Sequence, residues 1–154
     1  MQVQERLMAA DWPAEILSQD EASEVLAEDG TPLLRGLRVR MGAHAGTPIC
    51  QADPNTGRMD YFGGMVNRAA RVGGAGHGGQ ILVSGSAWQE INGQADGAEV
   101  TALGEHALKG LERREHLRQI LPAPLAGRSF PRVKTPNLKK TNLPARLEIG
   151  RAHV

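Results

Sequence analysis

Apolar and basic residues alternate from Leu37 to Met41 (LRVRM), the pattern of a half-buried strand. The run continues through Gly42, His44 and Gly46 to Pro48-Ile49-Cys50. It reads as two strands joined near Gly46-Thr47, with glycines that let a substrate or another backbone come close. Ile81-Leu82-Val83 is an unbroken apolar run and predicts a buried strand. Glu99 to Ala102 and Leu117 to Leu121 carry weaker strand patterns. Helical spacing marks residues 1–10, through Val3, Leu7 and Met8, with Pro13 closing the segment. No cap precedes this run, so the chain is read as starting inside a helix. A short helix is predicted from Ala14 to Ala27, and another from Ser84 to Asn92. Ser84 or Ser86 caps the second, Glu90 is in range for a capping box, and Asn92-Gly93 ends it. Asp53-Pro54-Asn55-Thr56-Gly57 is a turn. Gly73 to Gly79 is a helix-to-strand loop. Residues 74–79 satisfy the spacing G-x-G-x-x-G, but that motif must follow a strand and open a helix. Here the order is reversed, and the dinucleotide reading fails.

The remaining helix lies in Arg58 to Arg71, RMDYFGGMVNRAAR. Asn67 and Arg71 are one turn apart on one face, with Met65, Val66, Ala69 and Ala70 opposite. An amide and a guanidinium placed this way can grip a ribose oxygen and a phosphate. Taken alone, the same pattern also fits a surface helix with a capping Asp60 and a solvated arginine.

Composition narrows the classes. The 154 residues suffice for one domain with a modest core. Aromatic content is 3%, so that core is aliphatic. A net charge of +1 gives no general pull toward nucleic acid or membrane. The single cysteine, Cys50, excludes an intrachain disulfide and suits a reducing compartment. No apolar run approaches the ~20 residues of a membrane span, and the first residues do not read as a signal peptide. Residues 11–32, from Asp11 to past Asp29, are acidic: a regulatory or partner-facing insert, or more plainly a solvated helix and loop. His44 is read either as a base or metal ligand or, with no second ligand at useful spacing, as a strand-end polar residue. From Pro122 the pattern dissolves into prolines and basic residues, among them Arg128, Arg132, Lys134 and Lys139. Residues 122–148 are therefore expected to be a disordered basic linker. Nucleic-acid binding by this segment would need stacking aromatics, and only Phe130 is near. Residues 149–154 are what one frame of a common sequencing adapter encodes, and they are set aside.

The succession DYFG-x-MVNRAAR, GGQILVS and LKG resembles class III nucleotidyl cyclases, most closely the adenylyl cyclases of fungi and protists. The resemblance covers roughly residues 1–121, the later half to two-thirds of a cyclase domain. It implies an α/β fold of ferredoxin-like type, an antiparallel sheet with packed helices, truncated at its N-terminus. It also implies a phosphorus–oxygen lyase converting ATP to cyclic AMP and pyrophosphate in intracellular signalling. By resemblance Asp60 reads the adenine edge, Asn67 orients the ribose, Arg71 meets charge developing on the reacting phosphate, and Lys109 holds the triphosphate. Guanylyl cyclases usually differ at the position of Asp60, which favours ATP over GTP. Where the family often has a second lysine this chain has Leu111, with Arg113 or Arg114 as candidate replacements.

The family's two Mg²⁺ or Mn²⁺ ions are held by two aspartates on strands that precede the segment where Met1 falls. No metal ligand is assigned within this chain, since Asp11, Asp20 and Asp29 lie in an acidic helix or loop. Family sites form between two cyclase domains, head to tail, so a second domain is the implied partner. The chain alone is expected to fold poorly and to be inactive. The rival reading is a non-catalytic cyclase-like domain that binds nucleotide or regulates an intact cyclase. A cytoplasmic location is implied, with attachment to a larger membrane protein left open.

Overall fold

The computed structural model describes residues 1–136. Its centre is the pair of long antiparallel strands β7 (Ala98–His106) and β8 (Glu115–Pro122). Both extend well beyond the short segments the sequence marked. The apolar run forms β6 (Ile81–Ser84), buried along its whole length as expected for a strand covered on both faces. It lies between β8, antiparallel, and β3 (Met41–Ala43), parallel, giving a four-stranded sheet in the order β3-β6-β8-β7. Two small sheets stand beside it: β1 (Val25–Leu26) with β2 (Pro32–Leu34), and the hairpin β4 (Ile49–Ala52) with β5 (Met59–Phe62). The mixed α/β class with mostly antiparallel pairing matches the expected fold.

The helices are α1 (Gln2–Ala9), α2 (Ala14–Leu17), α3 (Gly64–Ala75) and α4 (Gly85–Glu90). Helix α3 lies across β3 and β6. Gly42 makes this possible: a Cβ there would stand 2.3 Å from the Gly73 backbone nitrogen. The glycine expected to admit another backbone does so. Val72 and Ala75 on α3 meet Leu82, Leu108, Leu117 and Val133 in the core. Ser84 caps α4 by accepting from the Ala87 N–H, and Asn92 and Gly93 end it with positive φ. With Ser84 as the cap, the third residue on is Ala87, so no capping box forms. The Asp53 side chain accepts from Asn55 and Thr56 and closes the expected turn.

Four expectations are corrected. Leu37 to Arg40 is not strand: the Val39 carbonyl is taken by the Gly79 N–H and the Gln4 side chain rather than by a ladder. The helix expected over Ala14 to Ala27 stops at Leu17, and the chain turns so that Ala22 is buried and its carbonyl accepts from Gly36. On α1 the buried side chain is the polar Gln4, 1% exposed, while Val3 faces water. The start of the expected linker is packed. Leu125 and Val133 are buried, and Arg128 is 6% exposed, hydrogen-bonded to Leu33, Gln4 and Gly79. The rest of that segment, and residues 149–154, lie outside the described residues.

Candidate active site

Helix α3 starts after Gly63, whose φ of 110° turns the chain sharply out of β5 and would strain any side-chain-bearing residue. The Asn67 N–H donates to the Gly63 carbonyl at 3.2 Å, an early bond of the helix. Asn67 and Arg71 both point to water. Ala70, expected on the buried face, is exposed beside Arg71. Arg68, between the two polar residues in sequence, turns the other way and pairs with Glu115 at 2.7 Å in a half-buried ion pair. Position on the helix thus separates a structural arginine from an available one.

Lys109 follows Leu108, which is buried in the core and anchors the loop. The Leu111 N–H returns to the Leu108 carbonyl, and Gly110 takes a φ of 75°. A Cβ on Gly110 would lie 4.0 Å from Arg71 Nε and Nη2, so the loop backbone abuts that guanidinium. Arg71 and Lys109 line one cleft of about 210 Å³. Leu111 packs against the core instead of reaching it, and Arg113 and Arg114 do not line it. A further cation does: Lys134, counted in the sequence as part of a solvated linker. Only its membership of a basic run marked it, and that gave no sign of where it would land.

Asp60 and Asn67 are not brought into this cleft. Asp60 sits exposed on β5 opposite Gln51. Its neighbours Met59, Tyr61 and Phe62 and the facing Ile49 all expose apolar surface, Tyr61 to 60%. His44 resolves as a strand-end polar residue: its Nδ1 lies 2.8 Å from Ser84 Oγ and 3.1 Å from Ser86 Oγ. Burial holds its pKa below the ordinary histidine value, against a weaker opposing pull from Glu115. Among the described residues no three His, Cys, Asp or Glu side chains are grouped to hold a metal. They do not fit the divalent ions that the resemblance implies. No helix among the described residues is long and apolar enough to cross a membrane.

Residues 6–121 match the family described as adenylate and guanylate cyclase catalytic domain. An adenylate cyclase of Mycosarcoma maydis is 39% identical over 173 aligned positions, covering 82% of this chain and 7% of that protein. An adenylate cyclase of Neurospora crassa is 35% identical over 159 positions, with the same two coverages of 82% and 7%. The chain therefore spans about 7% of the length of these relatives. Among solved structures, an adenylate cyclase of Trypanosoma brucei in its monomeric state aligns with a TM-score of 0.71 at 27% identity, over 86% of this chain and 63% of that one.

Proposed function

Because the chain belongs to the adenylate and guanylate cyclase catalytic domain family, we propose that it supplies the ribose- and phosphate-binding side of an adenylate cyclase site. The reaction joins the ribose 3′-oxygen of ATP to its own α-phosphorus. The bond from that phosphorus to the bridging oxygen breaks, the 3′-hydroxyl proton is lost, and pyrophosphate leaves with the electron pair. Charge grows on the phosphate oxygens, so catalysis is positioning plus electrostatics. Asn67 orients the ribose, Arg71 meets the developing charge, and Lys109 holds the departing phosphates. Asp60 accepts a hydrogen bond from the adenine amine, which selects ATP over GTP.

The observation that carries this reading is the convergence of Arg71 and Lys109 on one cleft with no carboxylate among its lining residues. A second cyclase domain, head to tail, brings the metal-binding aspartates. The exposed apolar hairpin β4–β5, which bears Asp60, supports such a partner. Use of ATP and a lone thiol, Cys50, support a cytoplasmic location.

The test is complementation. The chain is mixed with a cyclase domain that keeps its metal aspartates but has lost its own asparagine and arginine, and cyclic AMP is measured with ATP and Mg²⁺ or Mn²⁺. Activity should appear on mixing and fall at least ~100-fold with Arg71→Gln. Nucleotide binding without turnover in the mixture would favour a regulatory, non-catalytic domain. Unchanged activity in Arg71→Gln would overturn the assignment.

A further inference from the structure

We infer that Lys134 is a third phosphate-binding cation of this site, delivered by the segment that follows β8; this deepens the reading above and rests on it. The placement is held on two sides. Val133, next to it, is buried in the core with Val72 and Leu108. The Lys134 N–H itself donates to the Ala75 carbonyl at 2.8 Å, at the end of α3. Its Cα is therefore fixed against the same helix that carries Arg71. Lys134 lines the 210 Å³ cleft with Arg71, Lys109 and Thr135.

The charge pattern points to an anion. Among the other described cations, Arg68 pairs with Glu115, Arg35 with Glu24, and Arg118 lies over the Trp88 ring, while Arg40, Arg58 and Arg113 pair with no described carboxylate but do not line this cleft. Arg71, Lys109 and Lys134 form no ion pair with any described residue, and no carboxylate lines their cleft. Three cations gathered this way repel one another until an anion enters. A polyphosphate carries enough negative oxygens to engage all three. Arg71 presents a planar fork and the lysines point charges, suiting one bidentate and two looser contacts. Three cations on one small cleft suit the most highly charged end of a nucleotide, so the cleft takes the β- and γ-phosphates, the part that leaves as pyrophosphate.

The test uses the full chain with sodium pyrophosphate and with ATP, both in EDTA, read by calorimetry and by the thermal shift each anion produces. Lys134→Gln should weaken pyrophosphate binding roughly 3- to 10-fold, and Lys134→Arg should restore it. The ligand-free Lys134→Gln chain should melt no lower than wild type, because one repelling charge has gone. A lysine that served only the carbonyl end of α3 would do the reverse: the free chain would melt lower and the pyrophosphate shift would stay. That result overturns the proposal. So does loss of binding in Arg71→Gln and Lys109→Gln with none in Lys134→Gln, which leaves the cyclase reading standing. Pyrophosphate binding that needs all three cations, without competition by ATP, keeps Lys134 as a phosphate ligand and overturns the nucleotide reading. A wild-type chain that binds neither anion overturns both.

Discussion

Replacing Arg128 with methionine tests what holds the segment after β8 in place. The guanidinium donates from Nε to the Leu33 carbonyl at 2.6 Å, and from Nη1 to Gln4 Oε1 and the Gly79 carbonyl, each at 2.8 Å. No described carboxylate pairs with it. Burial, with a smaller push from the nearby Arg38 charge, lowers its pKa to about 10. Hydrogen bonds to a charged group contribute ~1.5–3 kcal/mol each, so three contribute on the order of 5–9 kcal/mol. The lowered pKa is equivalent to a burial cost of ~3 kcal/mol. Methionine removes both, at similar length, and leaves three acceptors facing a thioether.

The net loss should be ~2–6 kcal/mol, a large share of the ~5–15 kcal/mol by which a domain is stable. Urea unfolding followed by tryptophan fluorescence measures it. Trp12 reports from the α1 side, where its Nε1 donates to the Leu7 carbonyl, and Trp88 reports from α4. The sign with pH is a further check. The folded chain sheds the Arg128 proton near pH 10, before the unfolded chain does. Between that pH and the ordinary arginine value the unfolded state holds more protons, so wild-type stability should rise with pH relative to Arg128→Met. A midpoint within about 0.5 kcal/mol of wild type, on the scale of an ordinary surface change, would refute the reasoning.

Three further outcomes are expected. His44 has a folded pKa below its ordinary 6.5, so its contribution is intact above pH 6.5 and is lost as pH falls through the lowered folded value; His44→Gln should flatten the fall in urea midpoint between pH 7 and pH 5. Gly42→Ala should cost at least ~3 kcal/mol, because its Cβ would lie 2.3 Å from Gly73 N and 2.4 Å from Gly73 Cα. In contrast Gly74→Ala, with open space around its Cβ, should raise the thermal midpoint through a gain of ~0.5–1 kcal/mol; equal effects at the two glycines would contradict the packing of α3 on β3. Glu115→Gln should cost ~1–3 kcal/mol in unfolding experiments by loosening the bond to Arg68, and no change would mean that water replaces it.

What could be read from the sequence was what local chemistry decides. The buried run at β6, the cap at Ser84, the Asp53 turn and the helix carrying Asn67 and Arg71 each depend on neighbours a few residues away. Partners from far along the chain escaped. The alternation at Leu37 to Met41 has strand form, but Gln4 and Gly79 occupy the Val39 carbonyl. Gln4 lies outside the apolar repeat of Val3, Leu7 and Met8, yet it is buried, bonded to Val39 and to Arg128, 124 residues away. Of the site, the resemblance singled out Arg71 and Lys109 separately, and nothing local in the sequence said that both would line one cleft. Helix spacing already set Arg71 on the face of Asn67 and Arg68 off it, but the partner that Arg68 finds there, Glu115, lies 47 residues away.

The segment after β8 shows why composition misleads at such a place. Proline and cationic side chains, counted together, describe a solvated tether. Here the prolines fix direction while single residues fix position: Leu125 and Val133 bury apolar surface, and Arg128 spends its donors on three separate stretches of chain. The anchoring and the chemistry are then coupled. Arg128 ties the segment to α1 and to the start of β6, and Val133 presses it onto α3. Lys134 arrives beside Arg71 because both anchors hold. Loosening Arg128 should therefore weaken pyrophosphate binding as well as stability, though Arg128 does not line the cleft. Lys134→Gln should weaken binding alone. A chain in which Arg128→Met lowers stability and leaves pyrophosphate affinity intact would show that Val133 suffices to deliver Lys134.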